Sequence, residues 1–553
     1  MRPISLPCDL PEMIERGKKL WQQVRAGAET IAYGNPLYNY LLQGQVPGAM
    51  QFLPATFGIG DAANGEKLLA GQFAFGGESF TDRMPPWQRL SASKQWHEAM
   101  HSFAWLDDLR TLGTQPAQKA AADFIADWLD GQDRYQHEAW APATLGARLA
   151  SWIGTASFYL PFLEGDDQSR LMASVARQTR HLQRLLPGNI TGLPALVAYK
   201  GLIYAALNLP AEGAAALGLA LTLLARRLGE EVLADGGHLS RSPRLMLDYL
   251  RHLLEIRDAL AAAGIAAPGE IESAIPPTVT ALRSLRHGDG GFALFHGGDA
   301  STIAAIDSVL DRSGIRARGG RALPHLGYER LQAGRCLLLC DAGLPPPRGM
   351  DRFAHAGLLS FEFSHGRDRI ITNCGGGQNI GEWRVALAAT AAHSTVTVAD
   401  TNAAEVLEHG GIGRRPKHAA ARSYELDGTY TIEATHDGYR ENFGLVHERK
   451  LSLAGDGSFL TGSDVLRGPG LYPYAIRFHL HPKVQAVLAQ NGQSALLRTA
   501  SGQGWKLDAE NHPVTLEPSI YCGDGARQRS QQIVIHAKSG ADVAVAWRLS
   551  KVN

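Results

Sequence analysis

The spacing of hydrophobic residues changes near residue 290. Before it, apolar positions recur three and four apart, the helical period. "SKQWHEAMHSFAWLDDLRTL" puts Trp96, Met100, Phe103 and Leu106 near one face. "AQKAAADFIADWLDG", "TLGARLASWIGTASFYL", "QSRLMASVARQTRHLQRLL", "PALVAYKGLIYAALNL", "GAAALGLALTLLARRLGEEV" and "SPRLMLDYLRHLLEIRDALAAAG" follow, each of helix length between short Gly, Pro and polar loops. Successive antiparallel pairs of this kind build a solenoid or an α/α toroid. No sharp internal repeat accompanies them.

After residue 290 the period becomes two. "GLLSFEFS" alternates, with Leu359, Phe361 and Phe363 on one face and Ser360, Glu362 and Ser364 on the other. "HGRD" is the turn and "RIITNC" the returning strand. "STVTVAD", "YTIEATHDG", "VHERKLSLAGDGSFLTGSDVL", "YAIRFHLHP", "VQAVLAQNGQSALLRTA" and "QIVIHAKSGADVAVAWRLS" continue, with hairpin signals at "GDG", "NGQ" and "SG". Strands joined by short turns without intervening helices indicate an antiparallel sandwich. The pattern therefore divides the chain into an irregular and helical segment packing on the helical domain (1–90), a helical domain (91–288) and a β-sandwich (289–553). This is a multidomain α+β organisation.

At 553 residues the chain exceeds one small core, and 45% hydrophobic with 20% charged residues is a globular composition. Lys plus Arg and Asp plus Glu both number 54. That balance argues against a general nucleic-acid binder while leaving room for a locally basic cleft. Five cysteines imply no disulfide framework, and Cys336 and Cys340 suit core thiols better than a metal knuckle. The N-terminus shows no apolar signal-peptide core, which places the protein in the cytoplasm as an expectation. The longest apolar run, from Gly213, is shorter than the about 20 residues a bilayer needs, so no membrane span is expected.

No P-loop, dinucleotide fingerprint, nucleophile elbow or H-E-x-x-H motif occurs. Three stretches are polar beyond what plain structure needs. In "LPGNITGLPALVAYKGL", Asn189 enters a helix, as a cap or as an amide facing a ligand. In "LADGGHLSRSPRLMLDYL", Ser242 and Pro243 fit the N-cap and first turn of a helix. His238 and Arg241 precede them, in a solvated loop or over a cleft where the Arg241 fork would grip a carboxylate. The third runs from "RFAHAGLLSFEFSHGRDRIITNCGGG" to "WRVALAATAAHSTVTVAD". It holds His355, Asn373 and His393, for which neutral, hydrogen-bonded histidines are the default and Asn is a poor zinc ligand. On a strand, Cys374 would face the side opposite Asn373.

Together "FAHAGLLSFEFSHGRDRIITNCG", "RVALAATAAHSTVTV", "HDGYRENFGLVHERKL" and "RFHLHP", with "PGNITG" and "DGGHLSRSP" in the helical half, resemble the heparinase II/III-like family over roughly residues 90–550. The resemblance implies an incomplete α/α toroid followed by an antiparallel β-sandwich. It also implies a lyase that cleaves uronic-acid poly- or oligosaccharides by β-elimination. That chemistry needs a group to neutralise the C5 carboxylate, a base for the C5 proton and an acid for the leaving oxygen. Asn189 matches the carboxylate-neutralising residue. The neighbouring His position is Ile190, the catalytic Tyr falls on Leu245, and a catalytic His falls on Phe353. His355, His393 and Asn373 match the ligands of a structural zinc, the last in place of Asp.

Three outcomes stay open. A shifted alignment would leave Tyr249 or His238 as base; the chemistry could be rearranged onto His238, Arg241, Tyr439 or His436; or the protein binds an acidic glycan without cleaving it. Hydrolysis lacks a convincing carboxylate pair. The catalytic set is then Asn189, His238, Arg241 and Tyr439. Arg244, Tyr249, Trp383 and Arg384 are the candidate sugar contacts.

Overall fold

A computed structural model describes residues 27–55, 60–188, 190–209, 212–299, 302–376, 381–540 and 543–552. By contacts the chain forms two compact units. The first comprises Met1–Ile190, Pro194–Leu224 and Asp258–Ile265. The second comprises Thr191–Leu193, Ala225–Arg257 and Ala266–Asn553.

The main helices are α1 (Lys94–Ser102), α2 (Gln115–Gly131), α3 (Pro142–Gly154), α4 (Asp167–Leu185), α5 (Gly192–Ala206), α6 (Gly213–Glu231), α7 (Pro243–Ala262) and α8 (Gly269–Ser284). Side-chain caps start several of them: Ser93 accepts from Trp96 N, and Thr114 accepts from Ala117 N ahead of a first-turn proline. The segment 93–112 is not one helix. Phe103 takes a left-handed conformation (φ 56°) that ends α1, and a new helix starts at Leu106. Trp96, Met100, Phe103 and Leu106 are nonetheless all buried. The first unit packs Phe103, Trp128 and Trp152 together around Arg148, whose guanidinium lies 4.4 Å from the Trp128 ring. Arg148 donates to Gln178 Oε1 and to the carbonyls of His101 and Ala139, so its buried charge is hydrogen-bonded. A Cβ on Gly201 would lie 2.1 Å from Gly146 O, so α3 and α5 meet backbone to backbone.

In the second unit the strands are β1 (Ala322–Leu323), β2 (Tyr328–Ala333), β3 (Cys336–Asp341), β4 (Phe361–His365), β5 (Asp368–Thr372), β6 (Val396–Val398), β7 (Ala419–Leu426), β8 (Thr429–His436), β9 (Val446–Ala454), β10 (Phe459–Arg467), β11 (Pro473–Leu480), β12 (Gln485–Ala489), β13 (Ser494–Arg498), β14 (Gly504–Ala509), β15 (Val514–Tyr521), β16 (Gln528–Lys538) and β17 (Val545–Val552). They form two antiparallel sheets. One runs β15-β16-β11-β5-β4-β3-β2-β1, with β6 also on β11; the other runs β12-β13-β14-β17-β10-β9-β8-β7. Leu338, Phe361, Phe363, Ile476, Phe478 and Trp547 belong to one apolar core drawn from both. This is the expected helical region followed by an antiparallel sandwich.

The strand expected at 357–364 is shorter. Leu359 is left-handed (φ 55°), and β4 begins at Phe361. Its polar face is not solvated either, because every residue of β4 is buried. Glu362 accepts from the Leu294 and Asn373 amides and pairs with His287 Nε2 at 2.9 Å. Period two here separates an apolar face from a buried polar one. Cys336 and Cys340 are buried thiols on β3. Among the described residues no helix is long and apolar enough to cross a membrane.

Candidate functional site

The loop between α6 and α7 is held in place at several points. Val232 bridges His238, and Leu233 N donates to Gly237 O. Asp235 accepts from the His325 and Leu326 amides at 2.9 and 2.8 Å. Gly236 has φ 80°, and a Cβ there would lie 2.1 Å from the Pro277 carbonyl, so both conformation and space require glycine. Pro243 opens α7, and Ser242 Oγ accepts from Leu245 N, as the spacing implies.

Arg241 is the centre of this loop. It is buried and left-handed (φ 55°), an uncommon state for a residue with a Cβ that needs surrounding contacts to hold it. Its Nε donates to Leu326 O (2.6 Å), Nη1 to Leu344 O (2.7 Å), and Nη2 to Gly327 O (3.0 Å) and Asp341 Oδ1 (2.6 Å). Its guanidinium also lies 4.8 Å from the Tyr328 ring, whose hydroxyl donates to Arg241 O. A guanidinium bound this fully has no fork left for a substrate carboxylate. The catalytic role expected of Arg241 is therefore corrected to a clamp between the loop and the start of β2. A cavity of about 480 Å³ borders it, lined largely by Ala342–Pro347 and Ala419–Ala421.

Asp341 carries the clamp onward. Burial raises its pKa, but Arg241 and His296 outweigh that and hold it at about 2. Asp341 Oδ2 lies 3.2 Å from His296 Nε2. His296 Nδ1 accepts from the His355 amide (3.2 Å), and Nε2 meets both Asp341 and Arg241 Nη1, the latter at 3.1 Å. Burial lowers the His296 pKa and keeps the ring neutral.

His355 and His393 form a pair. His393 Nδ1 donates to Ala389 O (2.8 Å), leaving Nε2 to accept from His355 Nδ1 at 3.0 Å. Burial, and for His355 the neighbouring His393, lowers both pKa values, that of His393 to about 4. Asn373 does not join them. Its Oδ1 accepts from Ser394 N (2.9 Å), and its Nδ2 donates to Glu362 (3.3 Å). Cys374 packs elsewhere, with Leu387 and Cys522. Zinc takes four ligands drawn from Cys, His, Asp and Glu. Among the described residues no three such side chains converge, and one nitrogen of each histidine is committed to the other. The donor set does not fit the structural zinc that the resemblance implies.

His238 faces a buried cluster. Ser240 N donates to its Nδ1 (3.1 Å), so the proton is on Nε2, 3.6 Å from Glu231 Oε2. The Tyr249 ring is tilted against that of His238, with centroids 4.6 Å apart, and its hydroxyl donates to Glu231 Oε2 at 3.4 Å. Gly192 N donates to Glu231 Oε1. These are acid-base groups in contact, but His238, Glu231 and Tyr249 are all buried.

The other expected residues are dispersed. Tyr439 is in the sandwich core, its hydroxyl donating to Val396 O (2.6 Å), and burial raises its pKa. His436 accepts from Gly438 N and meets His447, which contacts Asp464. Neither has the access that proton transfer to a sugar requires. Arg244 is tied to Asp248 and to both oxygens of Asp299. Trp383 lies under Arg527, and Arg384 donates to the carbonyls of Leu407 and Glu408. Leu245 and Phe353 are half-buried and apolar. Asn189 lies outside the described residues. Sequence reasoning missed Glu231, His296 and Asp341. "GEEV" looks like a solvated helix end, and nothing in "LFHGG" or "LLLCDAG" announces a partner that lies far away in sequence.

Residues 315–548 match the family model described as heparinase II/III-like, C-terminal. FtsZ-localized protein C of Caulobacter vibrioides is 30% identical over 567 residues, covering 97% of each chain. The crystal structure of heparinase III is similar with a TM-score of 0.72 at 12% identity, covering 97% of this chain and 92% of that one. A mutant of the heparan sulfate lyase HepC from Pedobacter heparinus gives 0.62 at 14%, covering 95% and 90%. At those identities the likeness to the enzymes is one of fold. The matched sandwich, the shared polysaccharide-lyase fold and a relative aligned from end to end together make this chain a member of the heparinase II/III-like family.

Proposed function

We propose that this chain is a heparinase-fold protein that acts by binding instead of by lyase turnover, and that it does so in association with FtsZ. One observation carries the reading. Leu245 and Phe353 stand where the family resemblance puts a catalytic Tyr and His, and the polar groups nearby are already engaged. Arg241 is clamped to Asp341, His355 is bonded to His393, and Tyr439 is bonded inside the core. β-Elimination needs a base within about 3 Å of the proton it takes, and the expected bases His238, Tyr249, His436 and Tyr439 are all buried. The end-to-end relative, named for its localisation with FtsZ, supports the partner. The cytoplasmic location expected from the sequence belongs to this proposal.

The test has two arms. Incubation with heparan, alginate, hyaluronan and glucuronan should give no near-ultraviolet absorbance from unsaturated uronate, while the protein co-sediments with FtsZ polymers. Turnover of any of these glycans overturns the reading. The second reading is a lyase acting on an acidic oligosaccharide. The contact between Tyr249, Glu231 and His238 favours it, and turnover abolished by Tyr249→Phe would establish it.

A further inference from the structure

At the ends of β2 and β4 distant from Arg241, six arginines surround one cavity of about 810 Å³. They come from five places in the chain. Arg283 is on the last turn of α8 and Arg286 just beyond it; Arg318 precedes β1; Arg330 is on β2; Arg335 and Arg367 are on the β2–β3 and β4–β5 turns. The register puts both turns at the opposite strand ends from the clamp: Ala333 pairs with Cys336 and Cys336 with His365, whereas Tyr328 pairs with Asp341. No Asp or Glu lines the cavity.

Most of these charges are uncompensated. Arg286 pairs with Asp307 at 2.8 Å, outside the lining. Arg283, Arg318, Arg330, Arg335 and Arg367 have no carboxylate within ion-pair distance among the described residues. Arg283 Nε and Arg330 Nε are buried donors with no hydrogen-bond partner. The backbone also makes room for the charges. A Cβ on Gly366 would lie 2.5 Å from Arg335 Nη2, and one on Gly290 would lie 2.9 Å from Arg286 Nη2.

Like charges this close repel, and the fold tolerates them at a site where counter-charge arrives from outside. Guanidinium forks grip tetrahedral oxyanions bidentately. No Phe, Tyr or Trp lines the cavity, so it offers no platform for a base or a sugar face. The adjoining hollow that holds Tyr424 and Tyr430 also holds Glu425, and so is not part of the acid-free surface. Six cations in one cavity match clustered phosphates better than a uronate chain, whose charges are spread one to a ring. We infer that this cavity is a second ligand site, separate from the region around Arg241, and that it takes a compact anion carrying two or more clustered phosphate groups. Free polyphosphate-type anions and phosphorylated lipid headgroups share that chemistry.

Calorimetry with inorganic tripolyphosphate on the full chain tests it. Binding should weaken with added salt. It should fall by about tenfold or more in Arg335→Gln with Arg367→Gln, both on exposed turns, while the melting temperature holds. Arg318→Gln, on a different segment, should weaken it as well. Flotation with vesicles containing a phosphatidylinositol bisphosphate, against neutral vesicles, separates the sources. Capture lost in the same variants and competed by tripolyphosphate assigns a headgroup; tripolyphosphate binding without capture assigns a soluble anion. Tripolyphosphate binding that is absent, unchanged in the variants, or no stronger than that of sulfate at equal ionic strength overturns the inference. So does binding of heparin or an acidic peptide with none of tripolyphosphate.

Discussion

Asp341→Ala isolates the clamp from everything else in the second unit. Arg241 and Asp341 are 6% and 3% exposed, so deleting the carboxylate strands a buried guanidinium. Removing one partner of a buried pair typically costs about 3–5 kcal/mol. The depressed Asp341 pKa, about 2 against an ordinary 3.8, corresponds to only about 2 kcal/mol for protonating the carboxylate. The larger figure applies to Ala, which also removes the carboxylate's contacts with Arg241 and His296. With an unfolding entropy of about 2.1 cal/mol/K per residue and roughly 320 residues in the unit, about 4 kcal/mol is a drop of about 6 °C in Tm, measured by circular dichroism. Glu448→Ala, which breaks the exposed pair with Arg467, should cost under about 1 kcal/mol. Arg241→Met with Asp341→Leu should recover part of the loss, because an apolar pair leaves no stranded charge. A melt for Asp341→Ala within about 1 °C of the parent, or a double variant worse than the sum of the single ones, would refute the clamp.

Two further outcomes follow from the same region. Acid should destabilise the protein in two stages. Buried His355, His393 and His436 have folded pKa values below the ordinary 6.5, so their contribution is lost as pH falls through 6.5 toward about 4, where His393 titrates. Asp341 is depressed too, so its contribution is complete above about 4 and is lost as pH falls toward about 2. A Tm unchanged between pH 7 and pH 4 contradicts the first stage, and one unchanged from there to pH 2 contradicts the second. Chelation should leave the melt of the purified protein unmoved; stoichiometric zinc by elemental analysis, with a Tm that falls on chelation, would replace the hydrogen bond between His355 and His393 by a metal.

The fold was legible because it rests on repetition. Period 3.6 up to α8, period two beyond it, and "GDG" at a hairpin turn are local signals that tertiary packing reinforces. The site was less legible because its partners are distant in sequence. Arg241 meets Asp341 one hundred residues away, and His287 meets Glu362 across seventy-five. Alternation in "GLLSFEFS" identified two faces but could not tell that the polar face is buried, since Glu362 would appear identical on a solvated strand. Arg241 was noticed for its chemistry and misread in role, because a sequence shows a guanidinium but not the four acceptors that occupy it.

The arginines of the second cavity are placed differently from the clamp. Arg335 and Arg367 sit on hairpin tips, and Arg318 on the approach to β1, where a change of side chain leaves strand register and core packing untouched. Ligand preference at that face can therefore drift by single substitutions at almost no cost to folding, whereas Arg241, knotted into the backbone of three segments, permits no such drift. One scaffold thus holds a surface free to diversify beside an interior that is fixed.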